Sequence, residues 1–223
     1  MLHFPYRTLA ALAVAAGMLP SLGASAASPL PAPAQDVPAA SVKGAQTAVF
    51  AGGCFWGVEA VYRHVRGVTK AVSSYAGGAA KTADYEMVST GMTGHAESVE
   101  VTYDPAQVSY GELLRVFFSV AHDPTQLNRQ GPDYGTQYRS AIFFANDDQK
   151  RVAQAYIQQL GQGKVYADPI VTQVVPLTAF YPAEAYHQNY LALHRTQPYI
   201  VAHDLPKLAQ LKQQFPERYV AMQ

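Results

Sequence analysis

Cysteine is nearly absent: Cys54 is the one cysteine among 223 residues. A single thiol excludes any disulfide within the chain and leaves three roles, a buried spectator, half of an intermolecular bridge, or a reactive thiol. Charge imbalance is absent as well. Sixteen Lys and Arg against sixteen Asp and Glu leave no basic footprint, so no nucleic-acid partner is expected. One Cys and seven scattered His offer no paired ligand spacing, so no metal is expected either. No internal repeat is visible from residue 47 onward. No apolar run approaches the ~20 residues that cross a bilayer, which argues against stable membrane insertion. What remains, with 49% hydrophobic and 14% charged residues, is the composition of a soluble globular domain.

The amino terminus reads differently. MLHFPYRTLAALAVAAGMLPSLGASA has one Arg (Arg7) and no acid, then an apolar run from Leu9 to Leu19 and a Pro at 20. Ala24-Ser25-Ala26 follows, small residues suited to a signal peptidase groove. Residues 1–26 therefore predict a signal peptide cleaved near Ala26, and a mature chain exported to the periplasm or secreted. Residues 27–46, rich in Pro, Ala and Ser, predict an extended, mobile linker. The globular domain then runs over 47–223, including a C-terminal extension. Exported proteins meet an oxidising compartment in which cysteines pair, so a solitary one needs a reason.

Periodicity outlines the domain. Thr47 to Ala51 reads as a buried strand, and the apolar spacing Phe55, Val58, Val61/Tyr62, Val65 as a helix, with Gly67 as its left-handed C-cap. Val68 to Tyr75 and Glu97 to Tyr103 predict strands. Ser109 to Glu112 is a capping box ahead of a helix. A polar loop over 122–137 precedes a strand at Tyr138 to Phe144, a helix at Asp147 to Leu160 and a strand at Ile170 to Val175. Pro182 to Leu191 predicts a short helix, and Pro206 to Phe215 a surface helix. Interleaved helices and strands of this kind give an α/β or α+β fold in two layers.

Cys54 lies where strand, Gly-Gly turn and helix meet, in AVFAGGCFWGVEAVY. The N–H groups of a first helical turn favour a thiolate, and such sites lower a cysteine pKa. The glycines allow a tight turn and close approach of a substrate. Phe55 and Trp56 supply an apolar wall. A reactive thiol is the better reading of the three. In the strand over 97–103, Glu97 is in phase with Val99, Val101 and Tyr103. If the strand is intact there, Glu97 is a carboxyl on the core face, with its proton retained by desolvation; if it frays, Glu97 is a surface charge. Periodicity leaves both open. A nucleophilic sulfur with a carboxylic acid opposite suits attack on a centre whose oxygen must be protonated as it leaves.

Five blocks carry a resemblance: GCFWG at 53–57, YEMV at 85–88, GHAESVEVTYDP at 94–105, DYGTQYRS at 133–140 and FYPAEAYHQNYL at 180–191. In this order, and spanning nearly everything from residue 47 to about 215, they resemble the type A methionine sulfoxide reductases. The resemblance implies an α+β fold, a two-layer α/β sandwich with a mixed sheet and a ferredoxin-like core. It implies attack by Cys54 on the sulfur of an S-configured methionine sulfoxide in oxidised proteins or peptides, with Glu97 the acid toward the oxygen. Tyr85 and Tyr138 match two tyrosines that also donate to that oxygen. Phe55 and Trp56 match the seat of the substrate methyl group. Asp133 matches an aspartate tied to substrate binding and regeneration. The product at Cys54 would be a sulfenic acid, the first rung of thiol oxidation.

Many members of that family carry further cysteines toward the C-terminus that resolve the sulfenic acid. None is present here, so regeneration requires an external thiol: a thioredoxin-like protein, glutaredoxin or glutathione, or dithiothreitol in vitro. No bound cofactor is implied. His187 reads first as a structural histidine and second as support for the site; His95 could equally support the core. Two rival functions stand beside this one. A papain-like hydrolase or acyltransferase would pair Cys54 with His187, but lacks that family's residues around the cysteine and gives an inward Glu97 no task. A non-catalytic module would bind methionine sulfoxide without turning it over.

Overall fold

The computed structural model describes Met1, residues 29–38 and residues 44–221. The stretch expected to be a signal peptide lies, apart from Met1, outside the described residues.

Strand β1 (Gln46–Gly52) is followed by helix α1 (Phe55–Arg63), strand β2 (Val68–Ala76), the short helix α2 (Tyr85–Ser89) and strand β3 (Ala96–Tyr103). Helix α3 (Tyr110–Val116) continues into a π-helical turn over Phe117–Ala121. Two-residue strands β4 (Arg129–Gln130) and β5 (Asp133–Tyr134) pair with each other. Then come β6 (Ser140–Phe144), α4 (Asp147–Gln162), β7 (Gln173–Pro176), β8 (Phe180–Pro182), α5 (Tyr190–Leu193) and α6 (Leu205–Gln214).

Six strands form one sheet in the order β7-β6-β1-β3-β2-β8, antiparallel except where β7 runs parallel to β6. The four central strands, taken with α1 and the helices after β3, repeat the β-α-β-β-α-β pattern of a ferredoxin-like core. The fold is α+β with a mixed sheet.

Alternation decides which side of the sheet is covered. Ala48 and Phe50 of β1, Val99 and Val101 of β3 and Ile142 of β6 turn toward the helices, where Phe50 stacks on Tyr62 and Phe117, each at 5.1 Å. Each large apolar side chain buried there contributes roughly 1.5–3 kcal/mol. The opposite face carries the smaller set Val49, Ala51, Ala76, Ala96, Ala141 and Phe143. Alanine dominates that layer, and Val175, Leu177 and Phe180 pack against it.

Capping residues start the helices where expected. Ser109 accepts from the Glu112 N–H while Glu112 reaches back to the Ser109 N–H. Asn146 caps α4 by accepting the Gln149 N–H. Residues 29–38, part of the stretch expected to be a mobile linker, lie extended against the helical layer and are held there. The Leu30 and Pro31 carbonyls accept from Arg115 and the Tyr156 hydroxyl, and Asp36 accepts from the Gly111 N–H at 2.8 Å. Several elements differ from the sequence reading, among them the strand expected over 170–175, which is β7 over Gln173–Pro176. Helix α1 ends at Arg63, before Gly67, because Val65 leaves the helix to bridge to Tyr219. The stretch 182–191 is the end of an edge strand, a 3-10 turn and the start of α5, since Pro182 pairs with Ser74 and Asn189 adopts a left-handed conformation. Helix α6 is more than a surface element: Leu208 and Leu211 are buried in the core beneath α1.

Candidate active site

Three strand ends set the site. β1 delivers Cys54 after Gly52, Glu97 is the second residue of β3 beside it, and β2 ends opposite, with Tyr75 paired to Glu97. Gly53 makes the turn possible: its φ is +87°, and a Cβ there would lie 2.4 Å from Gln130 Cγ. Cys54 is the N-cap residue of α1 and is 7% exposed. Glu97 is buried, in phase with Val99 and Val101 on the helix-covered face, and its Oε2 accepts the Phe55 N–H at 3.0 Å. The strand does not fray. The first N–H of α1 thus goes to the carboxyl of Glu97.

That sharing alters the expected charge at the sulfur. Burial pushes the Cys54 thiol well above its ordinary range, and Glu97 and Asp204 add to the rise; the Trp56 N–H and Lys207 oppose it without overcoming it. The helix start was expected to favour thiolate. Desolvation outweighs it because removing the charged thiolate from water costs more than the helix end returns. Glu97 is likewise pushed up, to about 8, by burial, with Asp133 and Asp204 contributing and the Phe55 N–H opposing. At neutral pH the resting pair is therefore a thiol and a carboxylic acid, two proton carriers side by side.

The two tyrosines converge on this pair from separate elements. Tyr85 is the first residue of α2, which Asp84 caps through the Met87 N–H, and the Tyr85 N–H donates to Glu184 at 2.9 Å. Tyr138 closes a 3-10 turn over Thr136–Tyr138 instead of opening β6, and that turn brings its hydroxyl to the site. Burial raises both hydroxyls, and both lie within electrostatic reach of Glu97 and Cys54. They stay protonated and can donate.

The apolar side is built by Phe55 and Trp56. Phe55 is 1% exposed and packs on Tyr75 and His187, so it is a floor more than a wall. Trp56 is partly exposed, stacks on Tyr190 at 3.8 Å, and meets Tyr199 edge-on at 6.0 Å. The Trp56 indole N–H donates to His187 Nδ1 at 3.1 Å, which fixes the ring's other nitrogen as the protonated one. Burial holds His187 neutral. With Nδ1 given to Trp56 and Nε2 facing Glu184 at 3.9 Å, the imidazole supports the indole and is not set up as a base for Cys54.

Asp133 in β5 accepts from the Tyr199 hydroxyl at 2.5 Å and contributes to the raised value at Glu97. Four further contributors were not anticipated. Glu184 ties the Tyr85 N–H and the Tyr75 hydroxyl together. Tyr199 carries Asp133, Gln130 seals the Gly53 turn, and Asp204 lies over Gly57. No local periodicity could have found them, because each acts across a long sequence separation. His95 is buried and hydrogen-bonds the Gly78 N–H and the Ala79 carbonyl, a loop-supporting role. Among the described residues no group of three or more His, Cys, Asp and Glu could hold a metal, and no helix is long and apolar enough to cross a membrane.

The comparisons agree with this geometry. A family model described as peptide methionine sulfoxide reductase matches residues 46–219. "Peptide methionine sulfoxide reductase MsrA 2" of Mesorhizobium japonicum is 64% identical over 176 residues, covering 79% of this chain and 90% of the relative. A protein of the same name from Synechocystis is 53% identical over 194 residues, covering 86% and 91%. Among solved structures, reduced Mxr1 of Saccharomyces cerevisiae superposes with a TM-score of 0.62 at 32% identity, covering 73% of this chain and 91% of that one. Methionine sulfoxide reductase A of Corynebacterium diphtheriae superposes with a TM-score of 0.60 at 37% identity, covering 70% and 78%. From the matched span and these identities, the chain belongs to the peptide methionine sulfoxide reductase family, type A.

Proposed function

We propose that this protein reduces the S epimer of methionine sulfoxide, in oxidised proteins and peptides, by attack of Cys54 on the sulfoxide sulfur. The observation that carries the reading is the buried Glu97 carboxyl, hydrogen-bonded to the Phe55 N–H beside the sulfur. The proton inventory closes without a cofactor. Glu97 gives its proton to the sulfoxide oxygen as Cys54 Sγ attacks the sulfoxide sulfur, and the thiol proton passes to the Glu97 carboxylate. Attack forms an Sγ–S bond, and Glu97 hands the second proton to the oxygen so that the S–O bond breaks and the oxygen leaves as water. A water then adds to Cys54 Sγ, the Sγ–S bond breaks with its electron pair going to methionine, and the released proton returns to Glu97, leaving methionine and a Cys54 sulfenic acid. Tyr85 and Tyr138 donate to the same oxygen, and their stabilisation grows as charge develops on it. Phe55 and Trp56 seat the methyl group.

Regeneration then needs two thiols from outside, since Cys54 has no partner cysteine in the chain. The first displaces water from the sulfenic acid and forms a mixed disulfide; the second releases Cys54. A thioredoxin-like protein, or glutaredoxin with glutathione, has the required chemistry. The signal-peptide grammar of residues 1–26 supports an exported enzyme that repairs oxidised proteins in the periplasm or outside the cell.

The test is incubation of the purified protein with a methionine sulfoxide peptide and dithiothreitol. Methionine should form from the S epimer only. One turnover without reductant should leave a dimedone-reactive Cys54. Stoichiometric product with an unmodified thiol would defeat the covalent scheme, and absence of product would leave a binding module in its place.

A further inference from the structure

Asp204 has no task in the reaction above, yet its setting is unusual. It is fully buried, and neither carboxyl oxygen has a hydrogen-bond partner. It stands at the N-cap position of α6 without capping it. A π-helical turn over Ile200–Asp204 precedes it, and such turns re-aim side chains and recur at functional sites. Here the turn aims the carboxyl at the first turn of α1. A Cβ at Gly57 would come 2.1 Å from Asp204 Oδ1 and 2.8 Å from Lys207 Nζ, so the second glycine of GCFWG is what admits both groups. Lys207 Nζ stands 3.4 Å from Asp204 Oδ1. Gly57 lies in the first turn of α1, three residues beyond the N-cap Cys54, and Asp204 and Lys207 both act electrostatically on the sulfur.

We propose that Asp204, seated over Gly57 beside Lys207, is a positioning residue for Cys54: the pair governs how readily the sulfur attacks, Asp204 restraining it and Lys207 releasing it. The proposal rests on reading Cys54 as the nucleophile. A fully buried carboxyl whose counter-ion, Lys207, stands 3.4 Å away costs stability, and a restrained thiol is a use that offsets the cost, because a free thiolate in an oxidising compartment would react with oxidants other than the substrate. The signs agree with the surroundings of Cys54. Asp204 and Glu97 raise the thiol, while Lys207 and the Trp56 N–H lower it. Tyr85, Tyr138 and Tyr199 also face the sulfur but stay neutral. Asp204 itself faces Lys207, His203 and Asp133.

The test is alkylation of Cys54 by iodoacetamide in the full-length protein across pH 6–10, read by intact mass without sulfoxide or reductant, the midpoint being the pH at which half of Cys54 is alkylated in a fixed time. Asp204→Asn keeps the shape and removes the charge. It should move the alkylation midpoint about one pH unit lower, roughly tenfold in rate at pH 7. Lys207→Gln should move the midpoint the other way by a similar factor. Gly57→Ala, by displacing the carboxyl, should follow Asp204→Asn. A purely structural pair would shift both charge variants alike, and that result overturns the proposal, as does an unmoved midpoint in either. If Asp204→Asn fails to fold, the partly exposed Lys207 carries the test alone. A wild-type enzyme without sulfoxide turnover would instead count against the proposed function, so the two failures are distinct.

Discussion

Replacing Glu97 by glutamine should make the enzyme slower and, at alkaline pH, more stable. The carboxyl is pushed to about 8 in the fold, so at pH 7 about nine-tenths of the protein holds the acid. The glutamine of Glu97→Gln can still accept the Phe55 N–H through its carbonyl, and the turn into α1 survives. Its amide can donate to the sulfoxide oxygen but cannot release a proton. The loss is that of a general acid, typically 10²–10⁴-fold, and falls on kcat more than on KM. The wild-type rate should also decline as pH rises through about 8, a limb the variant lacks. Stability runs the other way. A carboxyl raised from 4.5 to about 8 by folding contributes stability that is fully present below pH ~4.5 and is lost as pH rises through about 8. Over that window the loss is on the order of 5 kcal/mol as an upper limit, and the neutral amide does not suffer it. Single-turnover rates at saturating peptide sulfoxide, with thermal melts at pH 5 and pH 9, measure both effects. A variant rate within threefold of wild type, or a change in Tm that is the same at both pH values, would refute the role and the burial argument respectively.

Two other perturbations follow from the geometry. Gly53→Ala places a methyl 2.4 Å from Gln130 Cγ on a residue with φ +87°; it should destabilise the protein by ~1–3 kcal/mol and lower activity through displacement of Cys54. Unchanged melting and turnover would show that the turn can relax. His122, buried between the Phe117 ring at 4.0 Å and Ser140 Oγ at 2.7 Å, is held neutral with its pKa near 3, mainly by desolvation. A depressed histidine contributes stability that is present above pH ~6.5 and lost as pH falls toward about 3, with a slope approaching ~1.4 kcal/mol per unit. His122→Gln should flatten the acid limb of a stability-pH curve, and an unaltered slope would assign acid sensitivity to other groups.

The sequence by itself determined the parts whose causes are local. Alternation placed Glu97 on the same face as Val99 and Val101, a phase that β3 keeps to its first paired residues. The capping box at Ser109 and Glu112 starts α3 where the side chains can reach their own backbone. The Gly-Gly turn puts Cys54 at the start of α1 because only glycine tolerates φ +87° there. On the proposed reaction, the single cysteine requires an outside reductant, a requirement legible in the sequence once the resemblance is read. Tertiary structure decided what distance along the chain conceals. Tyr138 reaches the site from a 3-10 turn, not from the strand its apolar neighbours suggested. The segment 182–191 became a strand edge, a turn and the beginning of a short helix because β2 offered it a partner. The protonation of Cys54 also depended on the whole fold. The helix start still favours thiolate, but burial beside Glu97 and Asp204 outweighs it, and both carboxyls come from elements that sequence proximity does not connect to Cys54.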